Sequence, residues 1–180
     1  MRKKIIVSSL TAALMASTAW AAPSTTAQVE EMVKHVVLSE DVEYQGASQV
    51  KTIAPMLDWT DSFFRQFLRL ITKDAILYSE MIAEQAIAHG DLHKLLDFSP
   101  FELPLILQVG GSTPALMANA AQKATEFGYT GININAGCPS ERVLAGSFGA
   151  CLMADPKRVA ACVEAMRSAS NLEVSIKTRI

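Results

Sequence analysis

The sequence lacks four features that would each have set its class. No two cysteines stand in C-x-x-C spacing: Cys138, Cys151 and Cys162 lie singly in the second half, so neither a zinc knuckle nor a disulfide framework is expected. They read as reduced thiols of a cytosolic protein, with Cys151 and Cys162 as small buried apolar side chains. No G-x-G-x-x-G turn follows an early strand, which removes the main support for an open, doubly wound nucleotide-binding sheet. No apolar run is long enough to span a bilayer comfortably, so no stable membrane span is expected. Charge of one sign is also missing: a formal net charge of -2 gives no global signature for an anionic partner, although a local basic groove fits inside a near-neutral chain.

What is present points to one globular domain behind an unusual leader. The chain has 180 residues, half of them hydrophobic and 19% charged, enough for a single domain with a substantial core. Residues 1–21 have a basic start (Arg2, Lys3, Lys4), an apolar stretch from Ile5 to about Ala16, and small residues at Ala19 and Ala21. That is the layout of a secretory signal peptide cleaved after Ala21, and it predicts export. Residues 22–50 are more polar, with one short amphipathic patch at Val29, Met32, Val33, Val36 and Val37, and read as a tether. No internal repeat or low-complexity tract stands out.

From residue 51 onward apolar runs alternate with helical periodicity. "VKTIAPML" (50–57) reads as a first strand closed by Pro55, and a helix over 58–73 follows, with Asp58, Thr60 and Asp61 as candidate caps. Phe63, Phe64, Phe67, Leu68 and Ile71 share one face of it, and with Trp59 they read as core rather than as a stacking platform for bases. Further strands are expected at 75–81, 103–111, 129–137 and 172–180. Two helices are expected, at 112–128 with Ser112 or Thr113 as N-cap and Pro114 in the first turn, and at 155–170. His89 and His93 lack a third ligand and read as solvent-facing, so no metal site is expected.

Strand–helix alternation with near-continuous apolar strands is the pattern of a parallel sheet of βαβ units. Polar or reactive residues gather at the strand ends: Met56 and Asp58, Glu80, Gln108, then Asn133, Asn135 and Cys138, then Lys177 and Arg179. In a (β/α)8 barrel that rim carries the chemistry. The expected fold class is α/β, an incomplete TIM barrel of about the first five strands over residues 51–180.

The stretch "GININAGCPSERVLAGSFGACLM" (131–153) contains an apolar-Asn-apolar-Asn-x-Gly-Cys-Pro core, then Val143 and a Gly149-Ala150 pair. With "APMLDWTD", "LYSEM", "LQVGG" and "IKTRI" in the same order, it resembles the A-type branch of the tRNA-dihydrouridine synthases from about Thr52 to Ile180. The resemblance implies an FMN-dependent enzyme, reduced by NADPH, that converts uridine in the tRNA D-loop to dihydrouridine. It also implies site roles. Cys138 is the expected general acid, a thiol being mostly protonated near neutral pH without help from a buried carboxylate. Pro55, Met56, Leu57, Gln108 and Lys177 are expected to contact the flavin, Lys177 by offsetting the negative charge of its reduced ring. Asn135 resembles the asparagine near the target base. Arg142 is a candidate substrate contact and Arg179 a candidate phosphate contact, with a structural ion pair the alternative for both. The base would have to leave its stack to react.

Two features depart from the family. The homologous region stops after about five strands, against ~250 residues for a complete barrel, so the chain reads as a fragment, inactive alone. Its enzyme would be cytoplasmic, whereas the leader predicts export. Two other readings stand beside it: an exported, non-catalytic remnant or binding module, and another flavin barrel acting on free pyrimidines. Against the second, such barrels show a serine before Cys-Pro, where this chain has Gly137.

Overall fold

The computed structural model describes residues 5–8, 51–140, 143 and 146–179. The rest of the signal-like segment and the tether, like Arg142, lie outside the described residues. In chain order the elements are β1 (Ile5–Ser8), α1 (Ser62–Ile71), β2 (Leu77–Ala83), α2 (Glu84–His89), α3 (Leu92–Leu96), β3 (Leu105–Gly110), α4 (Pro114–Glu126), β4 (Gly131–Asn135), α5 (Pro156–Ala169) and β5 (Glu173–Lys177). Short 3-10 turns occupy Pro100–Glu102 and Gly149–Ala154. No described helix is long and apolar enough to cross a membrane.

All the sheet pairings are parallel, in the order β1-β5-β4-β3-β2. The sequential run β2 to β5, with helices in the crossovers, is the partial TIM barrel expected from the alternation. Ile5–Ser8, from the start of the signal-like segment, pairs along the far side of β5.

Period-two alternation sorts each strand into two faces. Leu105, Leu107 and Val109 of β3, Ile132 and Ile134 of β4, and Val174 and Ile176 of β5 join one buried cluster with Met117, Ala120, Ala121 and Ala124 of α4 and Val159, Cys162, Val163 and Met166 of α5. The opposite face carries Gln108, Asn133, Asn135, Ser175 and Lys177, and Gln108, Asn133 and Ser175 stand side by side in register. β2 adds Met81 beside Gln108 after a register shift between Tyr78 and Met81, a bulge that inserts an extra residue.

The expected caps are met in part. Asp61 caps α1, accepting from Phe64 N at 2.8 Å, and Asp155 caps α5, accepting from Arg158 N at 3.0 Å. At α4 the N-cap is Thr113, but its side chain makes no cap bond. The Glu84 carboxylate takes the Thr113 N–H instead, at 3.1 and 3.3 Å.

Two expectations are corrected. The run 50–57 makes no full strand: it forms one bridge, Thr52 with Ile76, backed by Ile53 N to Ile76 O at 3.0 Å. Pro55 has no N–H to continue the ladder. The residues after it turn, with Thr60 Oγ1 donating to Met56 O at 3.0 Å and accepting from Met56 N at 3.1 Å. Nor is the aromatic face of α1 core. Trp59, Phe63 and Phe67 are 68%, 85% and 56% exposed, while Arg65 and Arg69 are 6% and 4% exposed. α1 packs through its arginines. Arg65 Nε meets the fully buried Glu102 carboxylate at 2.5 Å, and Arg69 donates to the carbonyls of Ala75 (2.6 Å), Pro104 (2.9 Å) and Glu102 (3.0 Å). Buried charge finds partners on that side, so Phe63, Phe67 and Ile71 turn outward while Leu68 still packs against the core.

Candidate active site

The site is built at the C-terminal ends of β3, β4 and β5. After Asn135 the chain leaves the sheet through Ala136, whose N–H still bonds Lys177 O at 2.8 Å, and then presses Gly137 against the end of β5. A Cβ at Gly137 would lie 2.9 Å from Thr178 C, 3.1 Å from Arg179 N and 3.2 Å from Thr178 O, all main-chain atoms. Glycine is required there because two backbones touch. The next residue, Cys138, is half-buried, and its thiol donates to Ser140 Oγ at 3.5 Å.

Two clamps fix the Cys138 backbone. Its N–H and that of Gly137 both donate to Asn135 Oδ1, at 3.0 and 3.1 Å. Its carbonyl accepts from Ala150 N at 2.9 Å. Gly149 makes the second clamp possible: it sits at φ 67, and a Cβ on it would come within 2.6 Å of Cys138 O. The Gly-Ala pair noted in the sequence is thus the strap that lies across the cysteine loop.

Lys177, beside Asn135 in register, is half-buried and has no carboxylate partner among the described residues. Burial lowers its ammonium below the ordinary lysine range; the Cys138 sulfur opposes that shift and the Arg179 cation adds to it. Thiol and ammonium therefore sit within electrostatic reach of each other. Gln108, one layer deeper and 2% exposed, donates from Nε2 to Asn133 Oδ1 at 2.7 Å and accepts at Oε1 from Asn135 Nδ2 at 3.3 Å. Among the described residues, one N–H and one lone pair of its amide have no partner.

The loop of Pro55, Met56 and Leu57 lies beyond the end of β2, Pro55 half-buried and Met56 and Leu57 exposed. Glu80, the residue carried by the bulge in β2, ties it down by accepting from Asp58 N at 2.5 Å. Arg179 is exposed at the end of β5. His89 and His93 are exposed; His93 Nδ1 lies 3.1 Å from the Asp97 carboxylate and its ring packs on Phe127.

Sequence reasoning passed over Ser140, Ser175 and the role of Asn133. Ser140 stands two residues past the cysteine, a spacing that could have suggested a thiol partner; Ser175 and Asn133 meet only through strand register. An ammonium without a carboxylate among the described residues, a half-buried thiol and a buried amide within one strand-end cluster suit a planar, hydrogen-bonding cofactor that gains negative charge on reduction.

Comparison with known proteins identifies the family. The family model described as dihydrouridine synthase (Dus) matches residues 52–180. The chain is 54% identical over 129 residues to a tRNA-dihydrouridine(20/20a) synthase of Synechocystis sp., covering 72% of this chain and 39% of that protein. It is 49% identical over 143 residues to one of Xanthomonas axonopodis pv. citri, covering 79% of this chain and 43% of that protein. A third, of Vibrio parahaemolyticus, is 52% identical over 129 residues, again with 72% of this chain and 39% of the relative covered. The chain thus spans about 40% of the length of the curated relatives it matches. A match that takes in every strand from β2 to β5 and the whole cysteine loop leaves one conclusion: the chain belongs to the dihydrouridine synthase family.

Proposed function

We propose that this chain carries the first part of the catalytic barrel of a tRNA-dihydrouridine synthase, reducing a D-loop uridine at the positions 20 and 20a that name its relatives. The observation that carries this reading is the placement of the Cys138 thiol and the Lys177 ammonium on adjacent strand ends, with the Gln108 amide one layer below.

FMN, when bound and reduced by NADPH, supplies the hydride for one carbon of the uracil C5–C6 bond. The chain's own residues supply the rest. Cys138 gives the proton to the other carbon, so that one hydride and one proton saturate the bond and a thiolate remains. Lys177, within electrostatic reach of that sulfur, stabilises the thiolate until solvent returns its proton. The same ammonium would offset charge on a bound flavin ring, which the Gln108 amide would help to orient and on which Pro55, Met56 and Leu57 would pack. Asn135 holds the Cys138 loop at the edge where the base arrives. Arg142 and Arg179 are the cations nearest in sequence to that loop and to Lys177, suited to tRNA phosphates. A tRNA substrate sets the cytoplasm as the working compartment, which the signal-like segment at 1–21 opposes.

The test is a chimera in which residues 52–180 replace the matching segment of the Synechocystis relative. Dihydrouridine formed in the D-loop of a tRNA lacking it, with NADPH as reductant, is the expected result. No product from a folded, flavin-loaded chimera, while the parent enzyme works, contradicts the reading.

A further inference from the structure

Between Cys138 and the centre of the sheet runs an unbroken line of buried polar side chains. Asn135 Oδ1 accepts from Gly137 N and Cys138 N; Asn135 Nδ2 donates to Gln108 Oε1 at 3.3 Å and to Met81 Sδ at 3.2 Å. Gln108 Nε2 donates to Asn133 Oδ1 at 2.7 Å, and Asn133 Nδ2 donates to Ser175 Oγ at 2.9 Å. The Ser175 hydroxyl closes the line by donating to Ile132 O at 3.4 Å.

The two ends of the line dictate its direction. At one end are backbone N–H groups, which can only donate; at the other is a backbone carbonyl, which can only accept. Turning over Asn135 or Gln108 would set like against like at both sides of the amide, and turning over Asn133 would set its Nδ2 against Gln108 Nε2 and draw the Ser175 proton away from Ile132 O. Each amide therefore has one orientation, and every bond donates the same way, from the cysteine loop towards β4. All four side chains are at most 5% exposed, so water does not offer an alternative partner.

We propose that Asn133 and Ser175 are positioning residues for Cys138. They fix the amide of Gln108, which fixes Asn135, which holds the two N–H groups that set where the thiol points. Neither touches the thiol, and neither has a role in the reaction by itself. The inference rests on the proposed function only for its consequence; the positioning itself is readable from the thiol without any flavin.

The experiment is the rate at which iodoacetamide alkylates Cys138 in the 180-residue chain, followed by peptide mass spectrometry across a range of pH. Asn133→Leu keeps the branched heavy-atom shape but removes both bonds, and Ser175→Ala removes the terminal hydroxyl. Each is expected to raise the Cys138 rate about fivefold, the worth of one net hydrogen bond released from the loop. Ser175→Thr, which retains a hydroxyl, is expected to keep the original rate. Val174→Ala, on the opposite face of β5, is expected to lower stability and leave the rate alone. If Asn133→Leu does not fold, Ser175→Ala reads the same line one bond further away. Unchanged rates in both Asn133→Leu and Ser175→Ala overturn the proposal, as does an equal rise in Val174→Ala, which would mark general loosening. A chimera without activity whose alkylation rates still shift as stated would sink the proposed function and leave the positioning intact.

Discussion

Gly137→Ala is the substitution whose effect the coordinates specify most closely. The added methyl would sit 2.9 Å from Thr178 C, 3.1 Å from Arg179 N and 3.2 Å from Thr178 O. None of these atoms belongs to a side chain that can rotate away, so either the loop lifts or the end of β5 moves by a few tenths of an ångström. Overpacking of this kind costs about 1–3 kcal/mol. At ~3 °C per kcal/mol for a domain of this size, the melting temperature should fall by roughly 3–9 °C. Because the residue that lifts is joined to Cys138, the alkylation rate of that thiol should change with it. Gly128→Ala separates the two effects. Gly128 has φ 84 and nothing within 4 Å of an added Cβ, so it should cost about 1–2 kcal/mol of backbone strain and leave Cys138 untouched. Differential scanning fluorimetry gives the first readout and iodoacetamide labelling the second. A Gly137→Ala chain with the parent's melting temperature and the parent's Cys138 rate would refute the contact argument.

Other substitutions test other parts of the account. Lys177 has its pKa lowered by burial, so its contribution to stability is present above the ordinary lysine value of 10.5 and lost as pH falls through the folded value. Lys177→Met should therefore raise the melting temperature at pH 7, with the gain vanishing in alkaline buffer, while the flavin affinity of the chimera drops by about tenfold or more; a destabilised variant at pH 7 would contradict this. The Cys162 thiol, pushed up to about 11 chiefly by burial, should resist iodoacetamide at pH 8 while Cys138 reacts, and native-state labelling of Cys162 at Cys138's rate would contradict its place in the core. Stability should also fall with pH between 9.0 and about 11, where the unfolded chain releases the Cys162 proton first. Arg69→Met should cost about 3–5 kcal/mol by stranding the carbonyls of Ala75, Glu102 and Pro104, and Arg69→Lys should recover only part of it, as urea denaturation would measure.

What could be read in advance was what depends on neighbours in the chain. The strands from β2 to β5 lie where their apolar runs stand, and α4 and α5 begin beside the prolines that mark their first turns. The Gly-Cys-Pro loop was legible as chemistry through the family-like signature around it, from Ile132 to Ala150; a strand-end cysteine by itself reads as a small packing side chain. The rest depended on residues far apart in sequence. Periodicity in α1 identified an apolar stripe but not its direction, which is set by Glu102, 37 residues beyond Arg65. The apolar content of 50–57 suggests a full strand, but Pro55 has no N–H to extend the ladder beyond the Thr52–Ile76 bridge. The line from Asn135 to Ser175 needs three strands in register before it exists at all, 42 residues separating Asn133 from Ser175.

The central claim is that Cys138 delivers the proton and does nothing else essential. In the chimera, Cys138→Ala followed under single turnover with NADPH and D-loop tRNA should leave flavin bleaching by NADPH at its normal rate and yield no dihydrouridine. Dihydrouridine appearing at the parent's rate and amount would contradict it.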